Sequence, residues 1–538
     1  MVLIEFSQNR RLIWNSILFF LLFFIIITIL PIAGQIASYF YQSARNNDVP
    51  SLSYSTFFGG LECDIGNGIA IANDGSLYIV GSTESGTLPI QDAYDDTING
   101  DYDVFVAKFS SSASLLWSTF LGGSGTDHGN DIVVDAEGSC YVTGWTDSSN
   151  FPAQNANDSS YNSFGDAFIT KFSTSGSLLW STFFGGGYID RGNSITLAED
   201  GNCFITGETG STDLPMKNAS DNTYNGGHSD AFIAKFTDNG LLLWSTFIGG
   251  NLWDRGHSIA VANNGDCFVT GYTTSANFTT FNAYDDLFKG PNTAFVAKFT
   301  SNGSLNWSTF IGGNETDSGS GIAAGIDNSC YVTGSTSSDN FPTVNASDPS
   351  YNDGGDAFVV KFSNNGSLLF STFLGGSLLD YGKSITIADD GNCYITGSTD
   401  SVDFPTVNVD NNFLSGSIDA LVAKFSSNGS LLWSRYLGGN DSEWGRNIVV
   451  SNSTVFVTGY TYSTNFPTIN AYNDEMRGCS DAFVSLYNGI DFPITPTTPD
   501  TITPTVDGSI AVGLLSPIIV LITTFTVIII IRRKKKYN

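Results

Sequence analysis

Residues 54–60 read YSTFFGG, and the pattern returns six times: WSTFLGG at 117, WSTFFGG at 180, WSTFIGG at 244 and again at 307, FSTFLGG at 370, and WSRYLGG at 433. Successive starts lie 63, 63, 64, 63, 63 and 63 residues apart. A period this regular marks one supersecondary unit per repeat. The copy at Tyr54 is the odd one, because no other part of a repeat precedes it.

A whole unit, residues 382–439, is GKSITIADDGNCYITGSTDSVDFPTVNVDNNFLSGSIDALVAKFSSNGSLLWSRYLGG. It holds four β-like runs, here called A to D. SITIA and CYITGST flank a DDGN turn, and ALVAKF and SLLWSRYL flank a SSNG turn; both turns are hairpin signals. A loop of about 20 residues joins B to C. Strand A is predicted to begin after Gly66, Gly129, Gly192, Gly256, Gly319, Gly382 and Gly445. Seven four-stranded units predict an all-β, seven-bladed propeller. The last unit has strands A (Asn447–Val450), B (Val455–Gly459) and C (Ala482–Tyr487) but no D. YSTFFGG supplies it. One N-terminal and three C-terminal strands then close the ring, which removes an exposed edge.

The two ends carry apolar segments. Residues 509–531 form an uncharged stretch followed by Arg532, Arg533, Lys534, Lys535 and Lys536. That reads as a transmembrane helix with a cytoplasmic tail at 532–538. Residues 13–33 follow Arg10 and Arg11 and read either as a signal peptide or as a membrane anchor, with 1–12 a cytoplasmic tail. A linker at 34–50, the propeller at 51–490 and a Pro/Thr stalk at 491–508 complete the expected organisation, with the propeller on the outer side of a cell membrane. The net charge is −30; without the basic residues of the two ends, 15 bases face 51 acids, a balance of −36. Such a surface repels nucleic acid.

The stretch GNDIVVDAEGSCYVTGWTDSSNFP at 129–152, followed by DAFITKFSTSGSLLWSTFFGG at 166–186, resembles the SBBP repeat. The resemblance extends over about residues 51–488 and all seven units, and it implies a seven-bladed propeller. It implies little about activity, because one propeller scaffold hosts unrelated functions.

Residues that recur in every blade are best explained by what every blade needs. Cys140, Cys203, Cys267, Cys330 and Cys393 open strand B, where two other blades place Leu77 and Val455. That pattern describes an apolar packing site. Cys63 and Cys479 break the period at the expected ring closure and are a candidate disulfide. Asp64, Asp127, Asp190, Asp254, Asp317, Asp380 and Glu443 each stand two residues before a recurring Gly. They read as turn acceptors for backbone N–H groups, with a cation-binding ring as the competing reading. Pairs such as Tyr94-Asp95 in the B–C loops offer oxygen ligands compatible with Ca²⁺, without EF-hand spacing.

Positions that vary on the fixed frame are better candidates for a specific site. Trp145, Glu208, Tyr272 and Tyr460 follow the Gly near the end of strand B, and Tyr188, Arg191, Trp253, Arg255 and Trp444 lie in or beside the D–A loops. All are expected on one face, where aromatic rings beside charged groups suit a glycan or protein ligand. The three histidines, His128, His228 and His257, show no metal-ligand spacing, and no catalytic motif stands in a fitting context. Three functions remain open: a membrane-anchored surface module binding glycan or protein, an extracellular polysaccharide hydrolase or lyase, and a structural component of the cell envelope.

Overall fold

Left-handed residues set the hairpins. Gly75 (φ +80°), Gly138 (φ +86°) and Gly201 (φ +79°) close A–B turns, and Gly176 (φ +82°), Gly240 (φ +81°) and Gly303 (φ +87°) close C–D turns. Only glycine takes this conformation without cost. A computed structural model of the chain describes residues 50–162, 164–409 and 412–488. The expected membrane segments, the Pro/Thr stalk and both tails lie outside these residues, and among the described residues no helix is long and apolar enough to cross a membrane.

Blade 1 consists of A (Asp64–Ile71), B (Leu77–Thr83), C (Asp103–Phe109) and D (Leu115–Leu121). Its strands pair in the order A-B-C-D, and the next five blades repeat that order. In the seventh sheet, A (Glu443–Ser451), B (Thr454–Thr461) and C (Asp481–Asn488) are joined by Ser51–Phe58 in the D position. That strand runs antiparallel to C, with Ser51 opposite Asn488 and Phe58 opposite Ala482. Beside this seam Cys63 and Cys479 form a disulfide with their Cα atoms 5.1 Å apart. The A strands contact one another in a closed ring around the central channel.

Strand A begins earlier than expected, at the acid rather than after the glycine. In blade 1, Asp64 pairs with Thr83 and Gly66 with Gly81; the register then skips Asn67, so that Gly68 meets Val80. The same break recurs in each blade. The facing glycines permit it, since a Cβ on Gly81 would lie 1.9 Å from the Ile65 carbonyl oxygen. A bulge re-aims the extra residue, and in every blade that residue is part of the channel lining.

The core lies between blades. Val80, Val106 and Trp117 of blade 1 pack against Cys140, Val142 and Phe168 of blade 2, and similar clusters fill the other junctions. Cys140, Cys203, Cys267, Cys330 and Cys393 are buried free thiols, as expected of packing residues. The WST motif has two tasks. Its tryptophan caps the next blade: Trp117 Nε1 donates to the Thr174 carbonyl (3.1 Å), and Trp180, Trp244 and Trp307 act alike. Its Ser-Thr pair binds the B–C loop along the outer edge of strand D. Ser118 N–H donates to the Gln91 carbonyl (2.8 Å) and Thr119 Oγ1 to that of Asp95 (3.1 Å). The outermost strand is thereby covered.

Candidate functional site

The register brings the start of A, the end of B, the start of C and the end of D to one face of the ring. The varied residues gather there unevenly. Trp145, Arg191, Glu208 and Arg255 line one cavity of about 370 Å³ in the channel, together with bulge residues of the A strands. Arg191, Glu208 and Arg255 also line a second cavity of about 670 Å³ on the rim, with Tyr188, Trp253 and His228. The two cavities therefore share a wall.

Glu208 is the centre of that wall. Its side chain is buried, and it is ion-paired to Arg191 Nη1 at 3.0 Å and to Arg255 Nε. The guanidinium of Arg191 lies 5.1 Å from the Trp145 ring centre; that of Arg255 lies 4.8 Å from Trp253 and 5.8 Å from Tyr272. Bridging carboxylate and aromatic faces hold both arginines in place while leaving each partly open to solvent. His128 stacks on Trp145 at 4.7 Å and His228 on Trp253 at 4.6 Å. Burial, and then Arg191, lowers the His128 pKa to about 4, so its ring is neutral at pH 7. Trp444 and Tyr460 stand apart on blade 7, stacked at 5.0 Å, with Arg446 5.2 Å from the Tyr460 ring centre. Seven of the nine expected residues thus form one cluster, and two form a separate stack.

The bulge residues were missed by sequence reasoning. They are Asn67, Asn130, Asn193, His257, Ser320, Lys383 and Arg446, each directly after a recurring Gly. The first four donate to, or pair with, the next blade's glycine carbonyl: Asn67 to Gly129 (2.9 Å), Asn130 to Gly192 (2.8 Å), Asn193 to Gly256 (2.9 Å), and His257 Nδ1 with Gly319 (2.9 Å). Burial, then Lys383 and Arg255, lowers the His257 pKa to about 4, so this ring too is neutral and donates. The chain of contacts then gives way to Ser320, Lys383 and Arg446. A variable position on a repeated frame was the available signal, hidden because one residue in a bulge looks like ordinary strand.

The repeated acids lie at the blade junctions and not in the channel lining. Asp64, Asp127, Asp190, Asp254, Asp317, Asp380 and Glu443 are all fully buried. Each accepts the N–H of the second Gly after strand D, as Asp127 does from Gly123 at 2.7 Å. This is the turn-acceptor role. Among the described residues no group of three or more His, Cys, Asp or Glu is arranged to hold a metal ion. In the B–C loops, Asp95 Oδ1 accepts the Thr97 N–H (3.0 Å), an Asx turn of the kind that shapes these loops. The strand-C lysines lie over strand-B rings, with Lys108 4.9 Å from Tyr78 and Lys171 4.6 Å from Tyr141. Several also pair with acids, as Lys298 does with Asp266 at 2.9 Å.

Fold and repeat together define a seven-bladed β-propeller. Within that class the chain carries the SBBP repeat: residues 116–152 match the family model described as a beta-propeller repeat. The chain is similar to an uncharacterized WD repeat-containing protein of Acanthamoeba polyphaga mimivirus, 23% identical over 415 residues, covering 68% of this chain and 27% of that protein. It is also similar to the regulatory protein FlaEY of Caulobacter vibrioides, 24% identical over 394 residues, covering 68% of this chain and 39% of that one. The chain thus spans well under half the length of either relative. Among solved structures, a catalytically inactive virginiamycin B lyase from Staphylococcus aureus aligns with a TM-score of 0.44 at 11% identity, covering 82% of this chain and 99% of the other.

Proposed function

We propose that the protein is a binding module that takes a glycan or protein chain across the channel mouth and its rim. The observation that carries this reading is the shared wall: Arg191, Glu208 and Arg255 line both cavities and link them into one cleft flanked by Trp145, Trp253 and Tyr188. A linear ligand fits a cleft of this kind, with rings for its flat faces and fixed donors for its polar groups. The cavity contains two carboxylates, Glu208 and Asp131. Glu208 is held between two guanidiniums, and Asp131 accepts from Ile132, Ser194, Ile195 and Asn447. Carboxylates engaged in this way position neighbouring groups, which favours binding over hydrolysis.

In this reading the propeller is displayed outside the cell, attached through residues 509–531. The support is the apolar stretch with its basic tail, and a Cys63–Cys479 disulfide suits an oxidising compartment. The test uses the full chain in detergent, screened against immobilised glycans and envelope proteins. A triple variant, Trp145→Ala, Trp253→Ala and Tyr272→Ala, is expected to lose at least about tenfold in affinity for whatever binds, with its unfolding midpoint little changed. Unaltered affinity in the folded triple variant overturns the cleft as the site.

A further inference from the structure

The channel has a positive side that its own residues neutralise only in part, four cations facing the two carboxylates Asp131 and Glu208. Between residues 51 and 490 the chain has 14 Lys and Arg, and four of them, Arg191, Arg255, Lys383 and Arg446, line the same cavity. Glu208 pairs with both arginines of blades 3 and 4, one negative charge against two positive ones. Lys383 and Arg446 form no ion pair among the described residues, and the Arg446 Nε, like those of Arg191 and Arg255, is buried without a hydrogen-bond partner. Asp131, which accepts from four neutral donors, lines the same cavity and offsets part of the charge on Lys383. These two cations occupy adjacent bulge positions, where Asn67, Asn130 and Asn193 elsewhere reach the next blade's carbonyl. Two neighbouring like charges repel, and Arg446 acts on Lys383 in this sense. Lys383 is solvent-accessible but ringed by protein atoms; burial, then Arg446, lowers its pKa to about 8.

Resting on the binding reading above, we propose that the Lys383–Arg446 side of the channel holds the carboxylate of an acidic sugar residue in the ligand. A carboxylate between an ammonium and a guanidinium removes the repulsion and receives charge-assisted hydrogen bonds. The remaining lining decides for a sugar over an acidic peptide. Ser258, whose hydroxyl oxygen accepts the Ile322 N–H, and Ser320 line the same cavity with hydroxyl groups suited to ring hydroxyls. The cavity, about 370 Å³, has room for one or two sugar rings. The strongly acidic exterior would repel a polyanion, so the bound form is expected to meet the protein by its end or at an isolated uronate.

The test is binding of the full chain, by calorimetry, to an oligogalacturonate, to its methyl ester, to a neutral maltooligosaccharide and to oligoglutamate. Saturable binding of the uronate is expected, with at least about tenfold weaker binding of the ester and the neutral sugar. Lys383→Met and Arg446→Met should each cost about tenfold for the uronate, and Lys383→Arg should recover most of it. Equal affinity for uronate and ester, or no effect of either substitution in folded protein, overturns the carboxylate site while the cleft reading stands. Preference for oligoglutamate overturns the sugar. Binding of none of the four probes overturns the inference, and the wider screen of glycans and envelope proteins then decides the cleft reading separately.

Discussion

At the scale of single residues, Ala113 departs from its repeat. It sits at φ +64° in the C–D turn of blade 1, where Gly176, Gly240, Gly303, Gly366 and Gly429 occupy the equivalent turns at φ +81° to +89°. The partner differs as well. Elsewhere a tryptophan or phenylalanine of the preceding blade lies against the glycine, and a Cβ on Gly303 would come within 2.8 Å of the Trp244 ring. Blade 1 is preceded by Tyr54, and Ala113 packs in the same cluster as that ring. A left-handed alanine costs about 1–2 kcal/mol, and the greater freedom of glycine favours the unfolded chain by about 0.4–1 kcal/mol relative to alanine. Ala113→Gly should therefore stabilise the protein by about 0.5–1 kcal/mol, read as a higher urea midpoint. A lower midpoint would show that methyl packing outweighs backbone strain. The turn position and its departure from glycine were readable in the sequence; the clustering of Ala113 with Tyr54 was not.

At the scale of elements, the D–A junction couples the fold to pH. Six of the seven junctions bring the acid that opens strand C close to the acid that opens the next strand A; in blade 4, Thr293 takes the place of the first acid. A Cβ on Gly122 would meet Asp103 Oδ1 at 2.5 Å and Asp127 Oδ2 at 2.9 Å. Burial, opposed by hydrogen bonds, raises Asp64, Asp190, Asp317 and Asp380 to about 6. Burial also raises Asp103 to about 6, and Asp166, Asp230 and Asp356 to about 7, with the facing acid adding to the effect. The unfolded chain releases these protons near pH 4, so the folded state binds more of them between pH 4 and 7. Their contribution is full below about pH 4 and is lost as pH rises through about 7. His128 and His257, both lowered to about 4 by burial, act in the opposite sense below pH 6.5. Eight carboxylates outweigh two histidines, and acids with lowered pKa such as Asp74 and Asp403 are exposed and screened. The urea midpoint should be higher at pH 4.5 than at pH 8, and Asp230→Asn should raise it at pH 8 and flatten the slope. A midpoint that rises from pH 4.5 to 8 contradicts the assignment.

At the scale of the whole molecule, the ring has one seam made by strands from opposite ends of the chain. The Ser51–Phe58 strand meets Asp481–Asn488 there, and the disulfide beside it closes a separation of 416 residues. A link over so long a loop removes conformational freedom from the unfolded chain, roughly 2–5 kcal/mol. Cys63→Ser should lower stability by about that amount. Peptide mapping without reductant should join Cys63 to Cys479, and Cys140, Cys203, Cys267, Cys330 and Cys393 should react with thiol reagents only after unfolding. An unchanged unfolding midpoint in the Cys63→Ser variant would show that strand pairing alone holds the seam.

Much of this architecture was legible because it is periodic. The recurrence of YSTFFGG with its variants, the turn glycines and the paired β-runs predict seven four-stranded blades from local rules that apply seven times over. The packing role of the five periodic cysteines followed from Leu77 and Val455 at the same position. The site was less legible, since a repeat shows which positions vary but not which variants meet. Strand register and ring curvature placed Arg191 and Arg255 on one carboxylate, Glu208, and left Trp444 and Tyr460 elsewhere. A bulge that shifts pairing by one residue turned Asn67, His257, Lys383 and Arg446 toward the axis. Such a shift depends on facing glycines in two strands and the approach of neighbouring blades, contacts between residues far apart in the chain. Local pattern therefore determined the blade and its number, and tertiary contact alone decided what the channel holds.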